Sequence, residues 1–132
     1  MSRALVDGLR IIPMILIMGI IFIFSAQPGD NLHLPPLPGI DKVAHVVVYG
    51  ALAATTIFAF NARYKEENSP LVMVATVLLC FCYGISDEFH QSFVPGRSPS
   101  GLDVLADVCG AMLICFFWAG MWRNQRKTII IR

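Results

Sequence analysis

Four long apolar segments dominate the sequence. They cover Ile11 to Ala26, Val43 to Phe60, Leu71 to Ser86 and Val104 to Trp122, and only the last contains a formal charge, Asp107. A helix needs roughly 20 residues, with a range of about 17–25, to cross a hydrocarbon core about 30 Å thick. The segments are continuous rather than alternating, and isolated strands would leave backbone groups unpaired in lipid. The pattern therefore predicts an all-α, integral membrane four-helix bundle.

Composition supports a membrane protein. The chain is 56% hydrophobic and 14% charged, whereas soluble domains average about 45–50% and about 25%. With flanking residues included, the predicted helices cover about 11–27, 42–60, 70–90 and 101–122 of a single domain, residues 1–132. The first helix could instead be a secretory signal, but Phe24 stands where a cleavage site needs a small residue. We therefore expect it to be retained.

The distribution of Lys and Arg predicts the orientation of the bundle. Eight of the ten basic residues fall on one side, in the two tails and the second loop, whereas only Lys42 and Arg97 fall on the other. By the positive-inside rule, both termini are cytoplasmic and the first and third loops face outward. The net charge of +1 gives no reason to expect a nucleic-acid partner.

Polar residues capable of acid, base or ligand chemistry gather at the three helix ends predicted to face outward. Residues four apart share one face of a helix, and each of these ends carries such a set. The sets are Asp41, His45 and Tyr49 with Lys42 beside them, then Tyr83, Asp87 and either His90 or Gln91, then Asp103 and Asp107. This convergence predicts a shared site.

Most of these residues also have a simpler explanation. Asp41 and Asp103 favour the first turn of a helix through the macrodipole, and Ser100 with Asp103 has the spacing of a capping box. Glu88 is expected to be solvated, because it points away from the face of Asp87. Asp107 is different: an aspartate at the centre of a membrane helix costs roughly 2.5–3.5 kcal/mol. We expect His45, Arg97 or a bound ligand to be its partner.

The motifs in order resemble those of the VanZ-like family of bacterial membrane proteins. They are the run Asp41 to His45 followed by Tyr49 and Gly50, the run Ser86 to Gln91, the run Phe93 to Ser98, and Asp103, Asp107 and Gly110. The run Phe24 to Gln27 is similar as well. Gly101 departs from the family, which more often has an apolar residue there.

The resemblance implies a multi-pass protein of the bacterial inner or plasma membrane, in the cell envelope. VanZ itself is associated with reduced susceptibility to teicoplanin, a glycopeptide antibiotic with a lipid tail. The family has no settled biochemical activity, so the resemblance supports the membrane location more than a reaction. It implies no particular cofactor or oligomeric state.

Three functions compete for the polar residues. The first is binding of a lipid-linked cell-wall precursor, a lipoglycopeptide or another amphiphilic membrane lipid. Its ligand-binding residues would be Asp41, Lys42, Tyr49, Tyr83, Glu88, Gln91, Arg97 and Asp103. The second is an enzyme acting on a lipid head group or cell-wall precursor, with His45, Asp87, His90 and Asp107 in acid–base roles. The third is a structural clasp between helices.

A metal site is a further hypothesis. His45, His90, Asp87, Asp103 and Asp107 offer nitrogen and oxygen donors of the kind that zinc accepts. No pair of strong ligands at metal-binding spacing lies on one helix, so the residues leave both metal status and reaction open.

The predicted orientation can be tested by cysteine labelling. In a background without the native thiols, single cysteines at Asn31 and Ser98 should react with an impermeant reagent added outside, because the first and third loops face outward. A cysteine at Asn68 should react only after the membrane is opened. Labelling of Asn68 from outside would overturn both the topology and the outward placement of the site.

Overall fold

The computed structural model describes residues 3–29 and 38–130, and within these ranges the regular structure is entirely helical. The helices, in chain order, are α1 (Arg3–Leu9), α2 (Ile12–Ser25), α3 (Ile40–Ala59), α4 (Ala62–Glu67), α5 (Ser69–Gln91) and α6 (Gly101–Ile130). Four stretches are long and apolar enough to cross a membrane: Leu5–Ser25, Ile40–Ala59, Ser69–Gln91 and Gly101–Trp122. The predicted all-α fold with four membrane helices is confirmed.

The first span begins earlier than its apolar run predicts. α1 extends the span to Leu5, and α2 begins at Ile12 after a turn at Arg10 and Ile11, with Pro13 in its first turn. Proline suits this position because the first helical turn needs no N–H donor from it. The apolar run Ile11 to Ala26 is slightly shorter than the roughly 17–25 residues that a span needs, and α1 completes it from the N-terminal side.

The connection between α3 and α5 also differs from the sequence-based expectation. The predicted helices leave residues 61–69 between them as the second loop, but this connection contains the short helix α4. The Asn61 side chain accepts a hydrogen bond from the backbone N–H of Tyr64 at 2.8 Å, which is a standard N-cap. A single capping residue is enough to organise this turn.

Helices α3 and α6 form the most extensive contact in the bundle. At their crossing, a Cβ on Gly110 would overlap the carbonyl of Val46, so only glycine lets the two backbones come this close. Tyr49, Leu52 and Ala111 belong to the core beside this crossing, with Cys80 from α5. α3, α5 and α6 thus make the central unit of the fold.

The first span is attached more loosely. Only 11% of the most apolar part of Leu5–Ser25 is buried inside the protein, against 33% for Ile40–Ala59. A hydrogen bond from the Tyr83 hydroxyl to the Met18 carbonyl, 2.7 Å long, joins α5 to α2. Large apolar side chains such as Leu16 and Ile23 are exposed, as expected for a helix facing lipid.

Contacts between loops show which ends of the helices lie together. The Gly29 N–H donates to the Pro95 carbonyl at 3.1 Å, so the first loop contacts the third. We call this end, where Asp41, Glu88 and Asp103 stand on α3, α5 and α6, the polar end. Asn31, chosen above for labelling, lies outside the described residues. The orientation of the polar end across the membrane stays a prediction.

The Gly110 contact predicts a large effect from a small substitution. Gly110→Ala should destabilise the protein by about 1–3 kcal/mol, because the new methyl group must push the α3 backbone away. Gly120→Ala on the same helix is the matched control, since a Cβ there meets nothing within 4 Å. We expect the control to keep or slightly raise the melting temperature in detergent. Equal melting of the two variants would contradict the close crossing of α3 and α6.

Candidate functional site

A buried histidine–aspartate pair lies at the centre of the polar end. His45 on α3 and Asp107 on α6 meet with Nδ1 and Oδ1 2.8 Å apart, and Asp107 is 0% exposed. Of the partners predicted for Asp107, His45 is the one that contacts it in the structure. A Cβ on Gly84 of α5 would lie only 2.6 Å from Asp107 Oδ2. Gly84 on α5 thus leaves the space that this carboxylate occupies.

The pairing determines what His45 can do. A carboxylate that accepts from Nδ1–H holds the imidazole in one orientation and one tautomer, which leaves Nε2 with a free lone pair. Nε2 can then act as a proton acceptor or as a metal ligand. Asp107 therefore serves as a positioning residue for His45.

Glu88 does not stay in solvent, contrary to the expectation from its helix face. It is only 7% exposed, and its Oε2 accepts a hydrogen bond from the Ser100 N–H at 2.6 Å. The reason is a tertiary contact: Ser100, which directly precedes α6, lies against the Glu88 carboxylate near the end of α5. The face of α5 that carries Glu88 is therefore covered by the residues at the start of α6 rather than by water.

The start of α6 is capped only in part as its spacing suggested. The Ser100 hydroxyl accepts a hydrogen bond from the Leu102 N–H at 3.2 Å, as a cap should. The Ser100 N–H donates to Glu88 instead of to Asp103. Asp103 forms an ion pair with Lys42, so the expected capping box is replaced by contacts between helices.

Lys42 connects two carboxylates at the edge of the cluster. Its Nζ lies 2.7 Å from Asp41 Oδ2 and also pairs with Asp103 Oδ1. Asp41 is half-exposed, whereas Asp103 is almost completely buried. Lys42 thus links the rim of the site on α3 to the interior on α6.

A cleft of about 340 Å³ opens beside His45, between α2, α3 and the end of α5. One wall is apolar and the other is polar. The apolar wall consists of Ile20, Ile21, Phe24, Ala44 and Val48, and the polar wall consists of Ser25, Asp41, His45, Tyr49, Asp87, Gln91 and Arg97. Six of the residues predicted for the site therefore line a single cavity, together with one, Ser25, that was not predicted.

Several polar groups of the cleft lack partners within the described part of the chain. The Ser25 and Tyr49 hydroxyls and the Arg97 Nε are buried without a hydrogen bond, and Arg97 forms no ion pair with a described carboxylate. Asp87, by contrast, accepts a hydrogen bond from Gln91 Nε2 at 3.0 Å. Buried donors without partners are costly, so the cleft is suited to a ligand that would satisfy them.

Two predicted site residues lie elsewhere. The Tyr83 hydroxyl is engaged with α2 through Met18, and His90 packs against Phe22 with ring centroids 4.7 Å apart. Neither lines the cleft. Among the described residues, no hydrogen bond or ion pair joins the His90 side chain to the other predicted acid–base residues, and its catalytic role stays a prediction.

The apolar wall was missed by reasoning from the sequence. Ile20, Ile21 and Phe24 look like ordinary membrane-helix residues, and Ser25 has no polar neighbour at helical spacing. The only signal was the resemblance of the run Phe24 to Gln27 to a family motif. That resemblance marks a position without saying what it contacts.

Comparison with known proteins agrees with the motifs. The sequence profile of the VanZ/LLP1 family matches residues 10–123. The uncharacterized protein C11E3.10 of Schizosaccharomyces pombe is 30% identical over 95 residues, which is 71% of this chain and 55% of the yeast protein. The chain thus spans about half the length of that relative. No solved structure matches. Since the family profile matches residues 10–123, which is most of the chain, the chain belongs to the VanZ/LLP1 family.

Proposed function

We propose that this membrane protein binds an amphiphilic ligand in the cleft, with the head group at the polar end and the apolar part along α2. The observation that carries the proposal is the division of the cleft into an apolar wall and a polar wall. A volume of about 340 Å³ lies within the roughly 300–1,000 Å³ of small-molecule sites. It is large enough for a head group and the first part of a chain.

The exposure of the apolar wall supports entry from the lipid. Phe24 and Ile20 line the cleft and are 60% and 46% exposed, so their outer surfaces would face hydrocarbon. A lipid tail can therefore remain in the bilayer while its head group enters between α2 and α3. A water-soluble ligand would gain nothing from this lateral opening.

The polar wall supports a head group that carries an anion and hydroxyl groups. Arg97 binds phosphate or carboxylate in a planar, two-pronged geometry, and the Ser25 and Tyr49 hydroxyls can donate to the same oxygens. Asp41 and Asp87 are suited to accept hydrogen bonds from hydroxyl groups. Phospholipids, lipid-linked cell-wall precursors and lipoglycopeptides of the teicoplanin type all combine these features.

The cellular setting is part of the proposal. The uneven distribution of Lys and Arg supports a polar end that faces outward, and the family resemblance supports a bacterial inner or plasma membrane. There the cleft would meet envelope lipids. Effects on glycopeptide susceptibility would then follow from binding an amphiphile at the outer surface.

The His45–Asp107 pair favours a second candidate, an enzyme acting on the head group or a cell-wall precursor. His45 lines the cleft and is oriented by a buried carboxylate, which is the arrangement that tunes histidine for acid–base catalysis. Asp87 on the facing helix lines the same cavity. Product formation from a bound lipid, lost in His45→Gln, would distinguish this candidate from simple binding.

Binding can be measured directly with phosphatidylglycerol, which has an anionic phosphate and free hydroxyls. Native mass spectrometry of the detergent-purified protein should detect a bound lipid, and Arg97→Gln should weaken binding by at least about tenfold through loss of charge-assisted hydrogen bonds. Arg63→Gln is the matched control, because Arg63 is exposed and already paired with Glu67. Equal binding by both variants would rule out Arg97 as the anion-binding group.

The histidine–aspartate pair predicts energetic coupling. His45→Gln and Asp107→Asn should each lower the melting temperature in detergent, and the double variant should differ from the sum by roughly 0.5–3 kcal/mol. A cycle pairing Asp107→Asn with Glu67→Gln should instead add within about 0.5 kcal/mol, since these residues are distant. Additivity in the first cycle would argue against the contact. If the residues form only a clasp, variants that remain folded should keep lipid binding unchanged.

A further inference from the structure

We infer that His45, Glu88 and Asp103 form a binding site for a divalent metal ion. The three residues come from α3, α5 and α6, and each offers one ligand atom, all within 4.8 Å of one another. Ligands placed about 2.0–2.2 Å from a zinc ion lie at most about 4.4 Å apart. Small side-chain rotations are therefore enough to close the site around an ion.

The carboxylate of Glu88 is the strongest indication of a missing partner. Its Oε2 is held by the Ser100 N–H at 2.6 Å, whereas its Oε1 is buried without a hydrogen bond. A carboxylate that is almost completely buried keeps such an oxygen unpaired only at a considerable cost. An ion between Oε1, His45 and Asp103 would satisfy it, while Ser100 keeps the carboxylate in place.

His45 has the second contact that metal-binding histidines usually show. Such a residue donates its other ring N–H to a carboxylate, which orients the ring and raises its basicity. The Nδ1–Asp107 contact of 2.8 Å supplies this support and leaves Nε2 for the ion. The contact with Asp107 thus orients His45 both toward the cleft and as a metal ligand.

The balance of buried charge points in the same direction. Among the described residues of the polar end, four carboxylates are less than one-tenth exposed, namely Asp87, Glu88, Asp103 and Asp107. The Lys and Arg residues described at this end are Lys42 and Arg97. Buried charges in a membrane protein need compensation, and a divalent cation would provide the charge that these two residues do not.

Lys42 does not block the site. It pairs with Asp103 and also with Asp41, where the distance is 2.7 Å. Asp41 is half-exposed at the rim of the site, so Lys42 can keep this partner when Asp103 turns to a metal ion. The ion would then replace Lys42 only at the buried carboxylate.

The ligand set indicates the kind of metal. One nitrogen and two carboxylate oxygens suit Mn²⁺ or Zn²⁺, whereas Mg²⁺ and Ca²⁺ prefer sites made of oxygen alone. Three protein ligands leave at least one coordination position for a water molecule or an anionic oxygen. Since His45 also lines the cleft, an ion bound to it would lie beside the phosphate or carboxylate of a bound amphiphile. This last step rests on the proposed function, whereas the metal site itself does not.

The proposed ligands differ from the set that the sequence suggested. Glu88 was expected to be solvated, yet it joins the site, whereas His90 packs on Phe22. Asp107 is the support for His45 rather than a ligand. Asp103 and His45 are common to both sets.

Metal content provides the test. The full chain is purified in detergent and freed of metal with a chelator. It is then incubated with MnCl₂ or ZnCl₂, desalted, and its metal content is measured by elemental mass spectrometry. We expect about one ion per chain and a higher melting temperature with metal. Glu88→Gln and Asp103→Asn should each weaken metal binding by at least about tenfold, since even outer-shell changes cost 10–100-fold. Glu67→Gln, an exposed carboxylate on α4, is the control and should bind metal normally.

Melting in the presence of chelator shows whether each variant folds. A variant that melts like the metal-free wild type but takes up no metal supports the site. Two results would overturn it: a metal content near zero in the wild type, or unchanged binding in both folded variants. Lipid binding measured with and without metal separates the two proposals. If the protein binds phosphatidylglycerol but takes up no metal, only the proposed metal site is wrong. If it takes up metal but binds no lipid, only the proposed binding of an amphiphile is wrong.

Discussion

Burial of Asp107 is the constraint on which the polar end depends. A carboxylate one turn inside a membrane helix needs a partner from another helix, and His45 provides it at 2.8 Å. Meeting that need brings α3 against α6, and the carboxylate also fills the space left by Gly84 on α5. One costly residue thus sets the positions of three helices and the orientation of the imidazole that lines the cleft.

Small residues make this convergence possible. In lipid there is little hydrophobic gain from joining apolar helices, so close backbone contact and polar contacts must hold them together. Gly110 permits the close crossing of α3 and α6, and Gly84 leaves room for Asp107. The polar residues of the site and the glycines around it therefore depend on one another, because a larger residue at either glycine would disturb the contacts between helices that the polar residues make.

The sequence predicted the membrane spans well because the length of an apolar run reports directly on bilayer thickness. The sequence also identified Asp107 and proposed His45 as one of its partners, since a charge buried in a membrane helix needs a polar or charged partner and few such residues are available. Glu88 and Ser25 were harder. Helical periodicity says which residues share a face, but it does not say which neighbour covers that face. The burial of Glu88 depends on its contact with Ser100, and the position of Ser25 in the cleft depends on how α2 packs against α3.

The loose attachment of α2 separates two properties of the cleft. Apart from Ser25, α2 contributes only apolar side chains to the wall, while the carboxylates, His45 and Arg97 stand on α3, α5, α6 and the third loop. For the proposed amphiphilic ligand, substitutions along α2 would therefore change the tail length or shape that fits the cleft without disturbing the polar wall. If the cleft binds the proposed amphiphile, family members could differ in the tails that they accept through changes in the first helix alone, while α3, α5 and α6 keep the same polar residues.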